Sequence, residues 1–168
     1  MDTVEDLFAR LEQLNEIGSA LSQATNLDAL LEKILLAAQK ITHADGGTLY
    51  LLEEGKQLKF AIMRSNSLGI AMGGTTGNGI PFYPVQLYDK DGVPNTRMVA
   101  AYSALSGKTI SIADAYVTEG FDFSGTRNFD KKTGYRSQSF LTVPMKNHEG
   151  HVIGVLQLIN CMGESGAE

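Results

Sequence analysis

Residues 127–145 read RNFDKKTGYRSQSFLTVPM and change character halfway. The front half is crowded with hydrogen-bonding side chains, Asp130, Thr133 and Ser137 among them. It turns at Gly134, where the lack of a β-carbon permits a tight bend. The back half is an apolar run that ends at Pro144 and must enter a core. Such donors and acceptors suit non-covalent recognition. The stretch is either an ordinary surface loop or a lid, over residues 121–137, that bends across something held against a sheet. Asn95-Thr96-Arg97, at the start of a predicted helix, is a second concentration of donors. The first N–H groups of a helix are unpaired and lie at its positive end, so they attract anions, and Arg97 would add a fixed charge.

The other reactive side chains do not assemble into catalytic patterns. His43, His148 and His151 stand apart from any Cys or carboxylate at metal-ligand spacing, and the last two read as exposed turn residues. Cys161, the single cysteine, reads as a small hydrophobe near a strand end, and it excludes an internal disulfide. The run GGTTGNG lacks the Gly-Lys-Ser/Thr ending of a phosphate-cradling loop, and no Gly-x-Ser-x-Gly elbow occurs. Neither a cofactor nor a metal is expected, and this chain is not expected to be an enzyme.

The elements that must position these residues follow from periodicity. Residues 4–24 read as a helix with Leu7, Leu11, Leu14, Gly18 and Leu21 in an a/d phase. That stripe packs on its own domain or forms a parallel two-helix dimer seam, and Gly18 weakens either. Thr25-Asn26-Leu27-Asp28 reads as the start of a second helix, which runs to Thr42 and is stopped by Asp45-Gly46-Gly47. Strand periodicity on both sides of Gly55-Lys56 predicts a hairpin over 47–65. A Gly-rich connection follows, then an extended run, IPFYPVQLYD. Met98, Ala101, Tyr102 and Leu105 stripe a helix that Gly107 ends. A short strand (TISIAD), the polar stretch as a loop, and two strands around His148-Glu149-Gly150 close the chain. Hairpins dominate, which predicts an α+β domain with a largely antiparallel sheet and helices packed against it.

The 168 residues suit one domain, and hydrophobic content of 43% with 20% charged residues is that of a soluble globular protein. A net charge of −5 argues against nucleic acid as a partner, because phosphate binding needs a Lys/Arg surplus. Apolar runs fall far short of the about 20 residues that span a bilayer, and no signal peptide opens the chain, so a membrane is not expected and the location is expected to be cytoplasmic.

Three segments in order, GKTISIADAY (107–116), FDKKTGYRSQSFLTVPMKN (129–147) and GHVIGVLQLIN (150–160), resemble the GAF domain, the small-molecule-sensing module of cyclic-nucleotide phosphodiesterases, cyclases and bacterial signalling proteins. The likeness covers about residues 26–160. It implies a PAS-related six-stranded antiparallel sheet with helices on both faces and a ligand on one face under loops and short helices. It also implies a regulatory domain at the front of a bacterial multidomain protein, with an HD-type phosphohydrolase or a nucleotide cyclase behind. In that arrangement residues 1–24 are a dimerisation helix, 25–163 the GAF domain, and 164–168 a tail or the start of a linker.

The cyclic-nucleotide pattern of that family falls on particular residues here. Thr48 matches a hydroxyl that faces the ligand. Met63 and Arg64 fall where a stacking aromatic and an acid often stand. Val99 and Ala100 match backbone positions near the phosphate, beside Arg97. Asp130 matches a base contact, Thr133 and Ser137 match lid hydroxyls, and Gln157 matches a polar position on the last strand. Asn160 opens a motif whose next residue, a lysine, is Cys161 here. The departures imply either a different, more anionic ligand served by Arg64 and Arg97, or a shrunken pocket in a ligand-free dimerisation module. Phe82, Tyr83, Phe121, Phe123, Phe129 and Tyr135 read as core packing that could also stack a ring.

Overall fold

The computed structural model describes residues 24–161. The first predicted helix, with its a/d stripe, lies outside the described residues. The elements run α1 (Ala24–Thr42), β1 (Ala44–Glu53), β2 (Gln57–Ser65), β3 (Ile70–Gly73), β4 (Val85–Gln86), α2 (Val99–Ser106), β5 (Ile110–Ile112), α3 (Ser124–Thr133), β6 (Phe140–Lys146) and β7 (Val152–Cys161). The sheet order is β3-β2-β1-β7-β6-β5, with β4 paired to β2, and every pairing is antiparallel. The expected α+β fold is therefore present, with helices on both faces.

Each strand supplies both faces of the sheet because successive side chains point to opposite sides. On one face Leu49, Ile62, Leu156, Leu158 and Met145 pack with Leu30, Leu31, Ile34, Leu35 and Ala38 of α1, all of them buried. Removing one such side chain from water is worth about 1.5–3 kcal/mol. On the other face Tyr50, Leu58 and Val155 meet Ala100 and Ala101 of α2, while Val99, Phe123 and Phe140 form a third cluster beneath α3.

Four local readings are corrected by the structure. α1 ends at Thr42, and His43 makes the stop in the left-handed conformation at φ 56°, so Asp45-Gly46-Gly47 belongs to β1. Gly47 must be small there: a β-carbon would stand 2.7 Å from Leu35 Cδ1 and 3.1 Å from the Gln157 carbonyl. The Gly-rich connection contains β3, whereas only Val85–Gln86 of the IPFYPVQLYD run pairs in the sheet. The supposed loop after β5 contains α3. Its sequence, SGTRNFDKKT, has a single large apolar residue and therefore no stripe, but its ends are marked. The Asp122 carboxylate accepts the Ser124 N–H at 2.9 Å, and Gly134 closes the helix at φ 74°. Asn95-Thr96-Arg97, expected at the start of α2, precedes that helix, which begins at Val99. The Asn95 Oδ1 accepts the N–H groups of Arg97 and Met98 in the preceding turn, and Met98 at the N-cap has no side-chain hydrogen bond to offer.

Candidate functional site

A cavity of about 530 Å³ lies between the β1-β2-β7-β6 face and a roof made of the start of α2, α3 and the 80–86 segment. Its floor is set by register. Met63 pairs Thr48, Thr48 pairs Gln157, and Gln157 pairs Thr142, so four side chains form a row across β2, β1, β7 and β6 on one face. Three of the four are polar, which is unusual for a face that should be core. The Gln157 amide donates to Thr142 Oγ1 at 3.0 Å, and its carbonyl oxygen lies 3.5 Å from the Tyr50 hydroxyl, the outer limit of a hydrogen bond. Burial pushes the Tyr50 phenol well above its ordinary range, so the group stays a donor. Thr48 is only 4% exposed, and among the described residues nothing hydrogen-bonds its hydroxyl, which opens onto the cavity.

The side walls are aromatic. The β1–β2 register skips Ala61, and this bulge turns both Phe60 and Met63 toward the cavity. Phe60 packs on Tyr50 at 4.7 Å between ring centroids and on Phe82 at 5.5 Å. Phe123 and Phe140, 5.5 Å apart, form the opposite wall. Phe129 projects from α3, and Met98, Val99 and Ala100 bring the N-terminus of α2 to the rim.

The roof is tied down by two carboxylates. Asp130, 4% exposed, accepts the Tyr116 hydroxyl, the Ser137 N–H at 2.8 Å and the Ser137 hydroxyl at 2.7 Å. Tyr135, whose ring lines the cavity, donates its hydroxyl to Asp45 on β1 and accepts from Asn160 Nδ2 at 2.8 Å at the end of β7. Asn160 also accepts the N–H groups of Gln138 and Ser139 and donates to the Arg136 carbonyl. Burial first, and then the Asp45 carboxylate, raise the Tyr135 phenol well above its usual range, so this latch stays protonated.

The GAF domain family profile matches residues 26–166. The chain belongs to the GAF domain family. It is similar to the dual 3′,5′-cyclic-AMP and -GMP phosphodiesterase 11A of Takifugu rubripes, at 31% identity over 86% of this chain and 15% of that protein. It is likewise similar to the cGMP-specific 3′,5′-cyclic phosphodiesterase of Drosophila ananassae, at 28% identity over 89% of this chain and 12% of that protein. The chain thus spans a small part of these relatives' length. Among solved structures, the GAF domain region of a Geobacter sulfurreducens PCA protein shares the fold at a TM-score of 0.54 and 15% identity, over 83% of this chain and 82% of that one.

In this GAF domain Thr48, Met63, Val99, Ala100, Ser137 and Gln157 all line the cavity. Arg64 borders it as well, but register places its side chain elsewhere. Arg64 pairs Gly47, whose β-carbon would point at Leu35 of α1, so the Arg64 side chain starts on the α1 face and its backbone borders the cavity. Arg97 is exposed and lies outside the lining, where its carbonyl accepts the Asp122 N–H at 2.8 Å. Asp130 points into the lid, not into the cavity. Thr133 bonds the Phe129 carbonyl of its own helix at 2.8 Å. Ser137 reaches the cavity wall with its hydroxyl already committed to Asp130.

Of the six aromatics read as core, five line the cavity; Phe121 instead packs on Tyr102 and Phe123. Phe60, Tyr50 and Phe140 complete the lining, Thr142 supports it by accepting from Gln157, and none of the four was singled out from the sequence. For Tyr50, Thr142 and Phe140 the available signal was their alternation in phase with Thr48 and Gln157; Phe60 is out of phase with Met63 and reaches this face only through the bulge at Ala61.

Proposed function

We propose that this GAF domain is a regulatory module that binds a small molecule in the cavity and reports its presence to an output domain. A Thr48 hydroxyl with no hydrogen-bond partner among the described residues, at the floor of an aromatic-walled cavity of about 530 Å³, is the observation that carries the reading. That volume falls in the range of small-molecule sites, about 300–1,000 Å³. A 3′,5′-cyclic nucleotide is the first candidate. Its phosphate would meet the uncapped N-terminal amides of α2, and its base the polar row of the floor. The similarity to phosphodiesterases of cyclic nucleotides supports that choice. The output domain we propose is a phosphohydrolase, of the HD type, or a nucleotide cyclase.

A homodimer joined through residues 1–24 is the proposed route by which occupancy changes output, and a cytoplasmic location is proposed with it. Leu14→Asp should then give monomers in sedimentation. A ligand-free dimerisation module is the competing reading. A thermal-shift screen of the whole chain against cyclic mononucleotides, cyclic dinucleotides, purines and small organic acids separates the two. A ligand at about 100 times its Kd adds roughly 2.7 kcal/mol of stability. A clear rise in Tm supports the sensor. A blank screen on folded protein favours the ligand-free module.

A further inference from the structure

We propose that Asn78 is a site of spontaneous deamidation, and that the acid it becomes releases the loop that sets the 80–86 segment over the cavity mouth. The chemistry needs only water, whatever the cavity holds.

Asn78-Gly79 is the single Asn-Gly pair of the chain, and both residues are exposed in the loop that follows β3. In deamidation the Gly79 nitrogen attacks the Asn78 side-chain carbonyl carbon. That N–C bond forms, the bond from the carbon to Nδ2 breaks, and Nδ2 leaves as ammonia with the proton that Gly79 gives up. Water then opens the cyclic imide. Attack at the former side-chain carbonyl yields aspartate; attack at the main-chain carbonyl yields isoaspartate, whose backbone runs through the former side chain. Three features admit the first step. Glycine has no β-carbon to crowd the attacking nitrogen. The Gly79 N–H makes no hydrogen bond among the described residues, so no acceptor holds its proton. Nothing stands within 4 Å of where a Gly79 β-carbon would lie, which leaves room for the tetrahedral intermediate. Against it stands one exposed hydrogen bond, from the Asn78 amide to the Ala71 carbonyl at 3.0 Å, worth about 1 kcal/mol.

Other asparagines are guarded. The N–H after Asn66, that of Ser67, is donated to Asp45 at 3.1 Å. Asn95 and Asn147 each hold two backbone N–H groups on Oδ1, which fixes their side chains. Asn160 does the same from within β7.

Asn78 also carries the loop. Its amide covers the edge strand β3 at Ala71, and its main-chain carbonyl accepts the Gly73 N–H at 2.7 Å. Gly73 in turn seats Ile80, so closely that a β-carbon there would stand 2.8 Å from Ile80 Cδ1. A carboxylate in place of the amide is ionised at neutral pH and has no donor for Ala71, so it sets negative oxygen against a carbonyl. Isoaspartate further lengthens the backbone path between Gly73 and Ile80. Either product loosens the start of the 80–86 segment, whose Phe82, Tyr83 and Val85 line the cavity.

Ageing the folded whole chain in mildly basic buffer, with peptide mapping by mass spectrometry and isoaspartyl methyltransferase labelling, tests this. Aspartate and isoaspartate should accumulate at position 78 ahead of every other asparagine, and more slowly in mildly acidic buffer, because the Gly79 nitrogen must lose its proton. Gly79→Ala, which nothing in the fold obstructs, should slow the conversion several-fold. Asn78→Asp reproduces one product, and hydrogen exchange at Gly73 should quicken both in that variant and in the aged wild type. An Asn78 that stays intact in folded protein while it converts in the denatured chain, or conversion first at another asparagine, overturns the site. Gly73 exchange that is unchanged in both Asn78→Asp and the aged wild type overturns the release.

Discussion

The two faces of this sheet are built from the same strands and do opposite things. Toward α1, Leu49, Ile62, Leu156 and Leu158 close against helix side chains with almost no exposure. Toward α2 and α3, the neighbouring residues Thr48, Met63 and Gln157 floor a cavity. One residue of register separates stability from recognition, because a strand's period of two sends alternate side chains to opposite layers. Buried polar groups on the second face are not defects of packing. They are where a hydrophobic face has been given up for a site.

Substitutions can break that contrast, and the largest effect belongs to the helix-covered face. Leu35→Ala should cost about 2–5 kcal/mol, the range for emptying a core position, and lower Tm in a thermal melt by roughly 10 °C. Asp130→Ala comes next, at about 3 kcal/mol in denaturant unfolding. It leaves the Ser137 N–H and hydroxyl and the Tyr116 hydroxyl without their acceptor. Loss of ligand response in that variant would report a loosened roof, not a missing ligand contact. Tyr135→Phe should cost about 1 kcal/mol by removing the hydroxyl that donates to Asp45 and accepts from Asn160, and hydrogen exchange should quicken at Gln138 and Ser139, whose N–H groups rest on Asn160. The smallest effect on stability is expected from Thr48→Val, within about 1 kcal/mol of the parent, because the hydroxyl it removes has no partner among the described residues to lose.

The same period explains what could be read from the chain alone. The β1–β2 and β6–β7 hairpins turn around Gly55-Lys56 and His148-Glu149-Gly150, and both were legible, although the register shift in each was not. Gly107 marked the end of α2 and adopts φ 68° there. α3 was not legible, since a ten-residue amphipathic roof with Phe129 as its single large apolar residue shows no stripe; Asp122 and Gly134 were its only marks. β3 was hidden by its four-residue length among glycines. Thr48, Met63 and Gln157 could be placed from family resemblance, but the direction of Arg64 depends on pairing with Gly47, which no local pattern reveals. Asp130 likewise looked like a ligand contact until its partners Tyr116 and Ser137 were seen beside it.

Thermal melting of the wild type and Thr48→Val, each with and without a saturating cyclic nucleotide, compares the two faces most directly. The two proteins should melt together when empty. With ligand, the wild type should rise clearly and Thr48→Val should rise markedly less. Equal rises in both, or an empty Thr48→Val that melts far below the wild type, would contradict the assignment of this face to ligand binding.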